Sequence, residues 1–181
     1  MAGIERMDFA VLDWISEVLS SPLLDRLMTV VTHLGDNGAV WVLAAAALLL
    51  MKRTRRDGAR MLLSLFLCFL CGNLLLKPLI ARPRPCWLRP EMPLLIPVPG
   101  DFSFPSGHTM TSFGAAGALF IGRRRAGAAA LVLAALIGFS RLYLFVHFPT
   151  DVAAGAVLGL AAAKASDKIL DLFWPSGRGP S

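Results

Sequence analysis

Apolar residues run through this chain in blocks, and polar ones gather at the joints. Five blocks, at about 37–52, 59–77, 106–122, 126–146 and 150–173, approach the ~17–25 residues that carry a helix across the hydrocarbon core of a bilayer. Several sit at the short end of that range, which predicts a thin bundle with snorkelling ends. Residues 1–35 follow a different rhythm. In "FAVLDWISEVLSS", Val11, Leu12, Ile15, Val18 and Leu19 fall on one helical face, opposite Asp13, Ser16 and Glu17. That is the pattern of an amphipathic helix lying in the interface. "SSPLLDRLMTVVTHLG" starts a second helix, with Ser21 as its N-cap and Pro22 at the first helical position. The pair either lies flat or adds a sixth span. "LGDNG" then marks a turn, with Gly and Asn supplying positive-φ positions, and His33 beside it reads as structural. The expected fold class is all-α: a polytopic membrane helix bundle of about five spans, one domain over 1–181.

Composition agrees. The 181 residues are 56% hydrophobic and 17% charged, outside the usual soluble balance. The net charge of +6 does not point to nucleic acid, because the cations sit in short clusters between apolar runs without interleaved aromatics. Such clusters encode topology. "KRTRRDGAR" (Lys52, Arg53, Arg55, Arg56 and Arg60 against Asp57) and Arg123–Arg125 should be cytoplasmic, as should the tail with Lys164 and Lys168. The acidic N-terminal region then lies outside, together with the loop around 78–105 and the turn around 146–150. The loop holds Pro78, Pro83, Pro85, Pro90, Pro93, Pro97, Pro99 and Pro105, a density that disfavours regular helix and predicts a stiff extended rim. The three cysteines form no disulfide framework. Cys68 and Cys71 fall inside an apolar run and predict helix packing; Cys86, in the loop, predicts a free thiol. An acidic N-terminus does not resemble a cleavable signal.

Three polar clusters meet on the outer face. "KPLIARPRP" supplies Lys77, Arg82 and Arg84. "PSGH" supplies Ser106, Gly107 and His108 at the start of the third span. "SRLYLFVHFPTD" supplies Ser140, Arg141, His147 and Asp151 between the fourth and fifth. Each cluster alone has a bland reading: interfacial anchors, an N-cap, a hydrogen-bonded turn. Together they place costly ionisable groups at membrane depth, and such convergence marks a site. Fixed cations beside a helix N-terminus make an anion site, where the amides of Ser106, Gly107 and His108 would point at a phosphate. A histidine held by a carboxylate is an oriented nucleophile or base, and a second histidine can protonate a leaving group. No His/Cys/Asp/Glu cluster has metal-ligand spacing, so neither metal nor other cofactor is expected and the cations would neutralise charge.

These residues resemble the type 2 phosphatidic acid phosphatase family of integral membrane lipid phosphatases, whose motifs are K-x6-R-P, P-S-G-H and S-R-x5-H-x3-D. Lys77, Arg84 and Pro85 match the first, Pro105–His108 the second, and Ser140, Arg141, His147 and Asp151 the third, over residues 77–151. The resemblance implies a metal-independent phosphatase acting through a phosphohistidine. His147 is then the nucleophile, Asp151 its orienting carboxylate and His108 the acid. Lys77, Arg84, Ser106, Gly107 and Arg141 hold the phosphoryl oxygens. Arg82 lies outside the motif, as a rim residue. The vanadium haloperoxidases share the motifs but are soluble, which the apolar blocks oppose. The short chain resembles small bacterial members of the family, implying a multi-pass plasma-membrane protein with its pocket on the extracytoplasmic side. Undecaprenyl diphosphate fits such a pocket best. Phosphatidylglycerophosphate, phosphatidate, transfer to another lipid, or plain lipid-phosphate binding are the alternatives. Membrane lipids, not nucleic acid, are the expected partners.

Overall fold

The computed structural model describes residues 2–174, and all regular structure among them is helical. Helix α1 (Ala2–Val18) is amphipathic in a way that differs from the expected face. Its inward side is Asp8, Leu12 and Ile15, all buried. Val11 and Val18 belong instead to an outward stripe with Ile4, Met7 and Trp14. The helix thus has an apolar face on each side, one on the bundle and one exposed. Helix α2 (Pro22–Leu34) starts as expected: the Ser21 hydroxyl accepts from the Leu24 amide at 3.4 Å, and Pro22 fills the first position. Asp25 on α2 accepts a 2.6 Å bond from the Tyr143 hydroxyl, pinning α2 to the bundle.

The turn after α2 is one 3-10 turn, Asp36–Gly38, with Asn37 at φ 52° and Gly38 at φ 66°. These left-handed positions suit Asn and Gly. They redirect the chain into α3 (Ala39–Leu50), bent 44° from α2. Helix α4 (Arg55–Cys68) continues through a π-helical stretch, Phe69–Leu76, into α5 (Lys77–Ile80). The proline-rich stretch is extended for most of its length but not throughout. Pro78 sits in the first turn of α5, and Pro85 opens the one-turn α6 (Pro85–Leu88), because a first turn needs no proline N–H. Cys86 is buried beside Ile15, Met28 and Tyr143, whereas Cys71 is exposed rather than packed.

Helices α7 (Gly107–Gly122), α8 (Arg124–Tyr143) and α9 (Pro149–Phe173) form the centre, with α7 packed most extensively on α9 and α8. The α7–α9 contact is backbone to backbone. A Cβ on Gly159 would lie 2.4 Å from the Met110 carbonyl oxygen, so only glycine allows the approach. Trp41 ties α3 to α7 through a 2.9 Å bond to the Ser112 hydroxyl. At one end, buried Arg60 bonds Asp57 at 3.0 Å and Asp167 at 2.7 Å, and Arg123 reaches Asp57 at 2.9 Å. The motif residues sit at the other end.

Two helical runs, Arg55–Leu88 and Arg124–Tyr143, are each long and apolar enough to cross a membrane. The bent pair Pro22–Leu34 and Asp36–Leu50 makes a third if taken as one span. Helix α7, at 16 residues, falls short of a span by its own length. The architecture is that of a membrane helix bundle.

Candidate active site

The site forms where α4–α5 and α8 end and α7 and α9 begin. Between α8 and α9 the chain reverses over five residues. Phe145 adopts φ 58°, uncommon for a bulky side chain, and the amides of Val146 and His147 both return to the Arg141 carbonyl, at 3.2 and 3.3 Å. This tight return aims the Val146 carbonyl and the His147 ring at Arg84.

Arg84 is the hub. It is 2% exposed and donates through Nε to the Asp101 carbonyl (2.7 Å) and through NH1 to the Val146 carbonyl (2.8 Å). NH1 also lies 3.0 Å from His147 Nε2, and NH2 bonds the Asp101 carboxylate at 2.6 Å. A guanidinium only donates, so Nε2 of His147 is the acceptor and Nδ1 carries the proton. Nδ1 faces Ser103 Oγ at 3.3 Å and Asp151 Oδ2 at 3.6 Å. Asp151 is fully buried and held on every side. Oδ2 accepts from the Ser103 hydroxyl (2.5 Å) and the Phe148 amide (2.9 Å), and Oδ1 from Arg82 (2.6 Å).

Lys77, Arg84, Gly107, His108, Arg141 and His147 line one cavity of about 450 Å³. Val42, Leu65 and Phe69 give it an apolar wall. Arg141 is 4% exposed; among the described residues its guanidinium bonds only the Thr32 hydroxyl (2.5 Å), and its buried Nε has no partner. A buried donor without an acceptor is costly, and the guanidinium that carries it lines the cavity. Asp101, from the loop, bonds both Lys77 and Arg84, so the protein's own carboxylate sits on two of the three cations. Burial alone would raise the Asp101 pKa, but the Lys77 and Arg84 charges outweigh it and pull it down to about 2.

Two of the eight expected site residues stand behind the cavity rather than in its wall. Asp151 backs His147. Ser106 is fully buried, with its hydroxyl accepting from Thr109 (2.9 Å) and its amide donating to the Asp151 carbonyl (3.1 Å). That amide is therefore not free for a phosphate; the open amides at this helix start are those of the first turn, beginning at Gly107. Arg82 is no rim residue. It bridges Asp151 and Asp8 (2.7 Å), bonds Thr150 (2.7 Å), and stacks over Phe148 at 4.0 Å. Asp8 in turn accepts from the Thr150 amide and hydroxyl. Ser103, Asp101 and Asp36 were also missed. Ser103 and Asp101 lie within five residues of "PSGH", a nearness that could have flagged them. Asp36 accepts from His108 Nε2 at 2.9 Å and from His33 at 2.8 Å across 72 and 3 residues of sequence, and nothing local marks the first contact.

The family model of the PAP2 superfamily matches residues 57–172. The chain belongs to the PAP2 superfamily. An undecaprenyl-diphosphatase of Sulfolobus acidocaldarius is 35% identical over 137 residues, which cover 75% of this chain and 66%, just under two thirds, of that relative. Among solved structures, LpxE of Aquifex aeolicus superposes with a TM-score of 0.79 at 30% identity, covering 90% of this chain and 95% of that one. The PAP2-type phosphatidylglycerolphosphate phosphatase of Bacillus subtilis superposes at 0.78 with 30% identity, covering 98% and 90%. The fold of this PAP2 chain is thus shared with LpxE and with a PAP2-type phosphatase, and its apolar helices are those of a membrane protein.

Proposed function

We propose that the protein is a metal-independent lipid-phosphate phosphatase that works through a phosphohistidine on His147. The carrying observation is the buried, partly unpartnered Arg141 beside Arg84 and Lys77 in the cavity that His147 Nε2 faces. Three cations around one nucleophilic nitrogen fit a phosphoryl group, and preorganised charge of this kind is the main device of phosphoryl transfer. Among the described residues no three His, Cys, Asp or Glu side chains stand close enough to share a metal ion.

The steps follow from the tautomers. Substrate phosphate displaces Asp101 from the cations, and Arg84 turns from Nε2 to a phosphoryl oxygen. The freed lone pair of Nε2 forms the N–P bond as the P–O bond to the leaving group breaks. Asp151 and Ser103 hold the Nδ1 proton and stabilise the charge that develops on the ring. His108 gives its proton to the departing oxygen. Water then loses a proton to His108, its oxygen attacks phosphorus, the N–P bond breaks, and phosphate leaves.

The expected cytoplasmic side of Lys52–Arg60 and Arg123–Arg125 supports a cavity on the outer face, with α3, α4–α5, α7, α8 and α9 as the expected spans and α1–α2 either at the surface or as a sixth. A phosphate cradle with an apolar wall suits a headgroup at the membrane surface and a tail in the bilayer. Undecaprenyl diphosphate fits that placement and the name of the Sulfolobus relative. Phosphatidylglycerophosphate is the second reading, favoured by the Bacillus structural neighbour.

The deciding assay is phosphate release by purified protein with excess chelator present. The panel is undecaprenyl diphosphate, phosphatidylglycerophosphate and phosphatidate, with His147→Ala as control. Release that survives chelator and vanishes in the variant is expected. Substantial residual turnover in His147→Ala, or a chelator-sensitive rate restored by Mg²⁺, overturns the mechanism.

A further inference from the structure

The function proposed above uses His108 as the acid and leaves unexplained what holds it. His147 faces a carboxylate through Nδ1, and His108, which lines the same cavity, faces one through Nε2. Its Nε2 lies 2.9 Å from Asp36 Oδ1, and the second oxygen of Asp36 lies 2.8 Å from His33 Nδ1. We propose that Asp36 is the positioning carboxylate of His108, so that the site contains two Asp–His pairs, Asp151–His147 and Asp36–His108. The proposal rests on the phosphatase reading and assigns a residue that the three motifs do not contain.

The local fold is built for this contact. Asp36 opens the 3-10 turn whose next two residues, Asn37 and Gly38, are left-handed, and the turn packs on the start of α7. Gly35 must be glycine here: a Cβ would lie 2.6 Å from His108 Cδ2 and 2.8 Å from Ile137 Cγ2. The turn therefore presses directly against the imidazole, and Gly35, Asn37 and Gly38 line the cavity with it.

The chemistry follows from the acceptor. A carboxylate accepts only, so Nε2 of His108 carries a proton, and Nδ1 is the nitrogen left to act on substrate. To donate from Nδ1 the ring must be an imidazolium, in a cavity that already holds Lys77, Arg84 and Arg141. Nearby cations disfavour another positive charge, and an adjacent carboxylate offsets them. Asp36 is the carboxylate that touches His108. In the first step the Nδ1–H bond breaks as the leaving oxygen takes the proton, and the ring becomes neutral with its Nε2–H still on Asp36. Water returns the proton to Nδ1 in the second step. His33, on the exposed side, steadies the other oxygen of Asp36.

A positioning carboxylate for an acid is distinguished from a merely structural one by the leaving group. Phosphatidate expels an alkoxide that must be protonated, whereas p-nitrophenyl phosphate expels a phenolate that leaves without a proton. Asp36→Asn keeps the shape and removes the charge. It should lower the burst rate of leaving-group release, the step before phosphoenzyme hydrolysis, by roughly 10–100-fold on phosphatidate, and by less than about threefold on the p-nitrophenyl ester. Asp36→Glu, which keeps the charge, should recover at least about a tenth of wild-type lipid turnover. If Asp36→Asn proves unstable, Asp36→Ser reads the same ratio. Equal loss of burst rate on both esters, no loss on either, or no recovery in Asp36→Glu overturns the proposal. His108→Gln separates the failures. If its burst rates on both esters fall alike, the acid role itself is wrong; if it splits them and Asp36→Asn does not, only Asp36 is misassigned. A wild type that releases phosphate from neither ester removes the phosphatase reading and this proposal with it.

Discussion

Replacing Arg82 with glutamine removes the cation from two buried carboxylates at once. Asp151 is fully buried and Asp8 is 3% exposed. Arg82 meets them at 2.6 and 2.7 Å. Breaking a buried ion pair from one side costs about 3–5 kcal/mol, because the remaining charge is left uncompensated. Two features pull the value to the lower end. The Arg82 side chain is 17% exposed, so water can reach part of the gap. Each carboxylate also keeps other donors: Ser103 and the Phe148 amide on Asp151, and the Thr150 amide and hydroxyl on Asp8. A loss of about 3 kcal/mol corresponds to a fall in Tm of roughly 6–12 °C for a chain of this length. Catalysis should suffer separately. Asp151 Oδ1 loses its only side-chain donor among the described residues, the carboxylate can rotate, and Nδ1 of His147 loses its fixed acceptor. Since Arg82 does not line the cavity, kcat should fall about 10–100-fold with KM within about threefold. Thermal unfolding in detergent and steady-state phosphate release on the same preparation measure both, with Arg82→Lys expected to recover part of each. A variant within 2 °C and threefold of wild type, as rough limits, would return Arg82 to the rim and refute the reasoning.

Two further outcomes test separate parts of the structure. Gly159→Ala drives a methyl into the Met110 carbonyl and should destabilise the protein by about 1–3 kcal/mol, read as a lower Tm, because the α7–α9 backbones must separate. An unchanged Tm would mean that the contact is looser than described. Asp101→Asn takes a competing carboxylate off Lys77 and Arg84, so inorganic phosphate should inhibit it about 3–10-fold more tightly than wild type. The same pair sets a pH dependence. The folded-state pKa of Asp101, about 2, is below its ordinary 3.8, so its stabilisation is fully present above about pH 5 and is lost as pH falls through about 4 towards 2. The Tm gap between wild type and Asp101→Asn should therefore be flat above pH 5 and close below it; a gap that widens on acidification would contradict the assignment.

Helix content and the cavity-lining motif residues were legible in the sequence for different reasons. The apolar blocks predict the helices because a bilayer or a core needs uninterrupted apolar length, and α3, α4–α5, α7, α8 and α9 fall on the five blocks. The face of α1 was misjudged because a helix apolar on two sides presents no single stripe, and burial then chooses Leu12 and Ile15 over Val11 and Val18. Lys77, Arg84, Gly107, His108, Arg141 and His147 were recognisable because the motif spacings constrain them, and they do converge. Ser106 was expected at the phosphate, but its amide closes onto the Asp151 carbonyl.

Sequence alone determined the residue types that line the cavity, their order along the chain, and the clustering of cations between apolar blocks. These depend on local composition and spacing, which a linear chain displays. The tertiary structure decided that Arg82 backs Asp151, that Asp101 covers the cations, and that Asp36 reaches His108. Those contacts join positions 17 to 72 residues apart, across helices whose separation is set by glycine-close packing and by left-handed turns at Asn37, Gly38 and Phe145. No local pattern encodes them, because a hydrogen bond specifies a distance in space and leaves the sequence separation free.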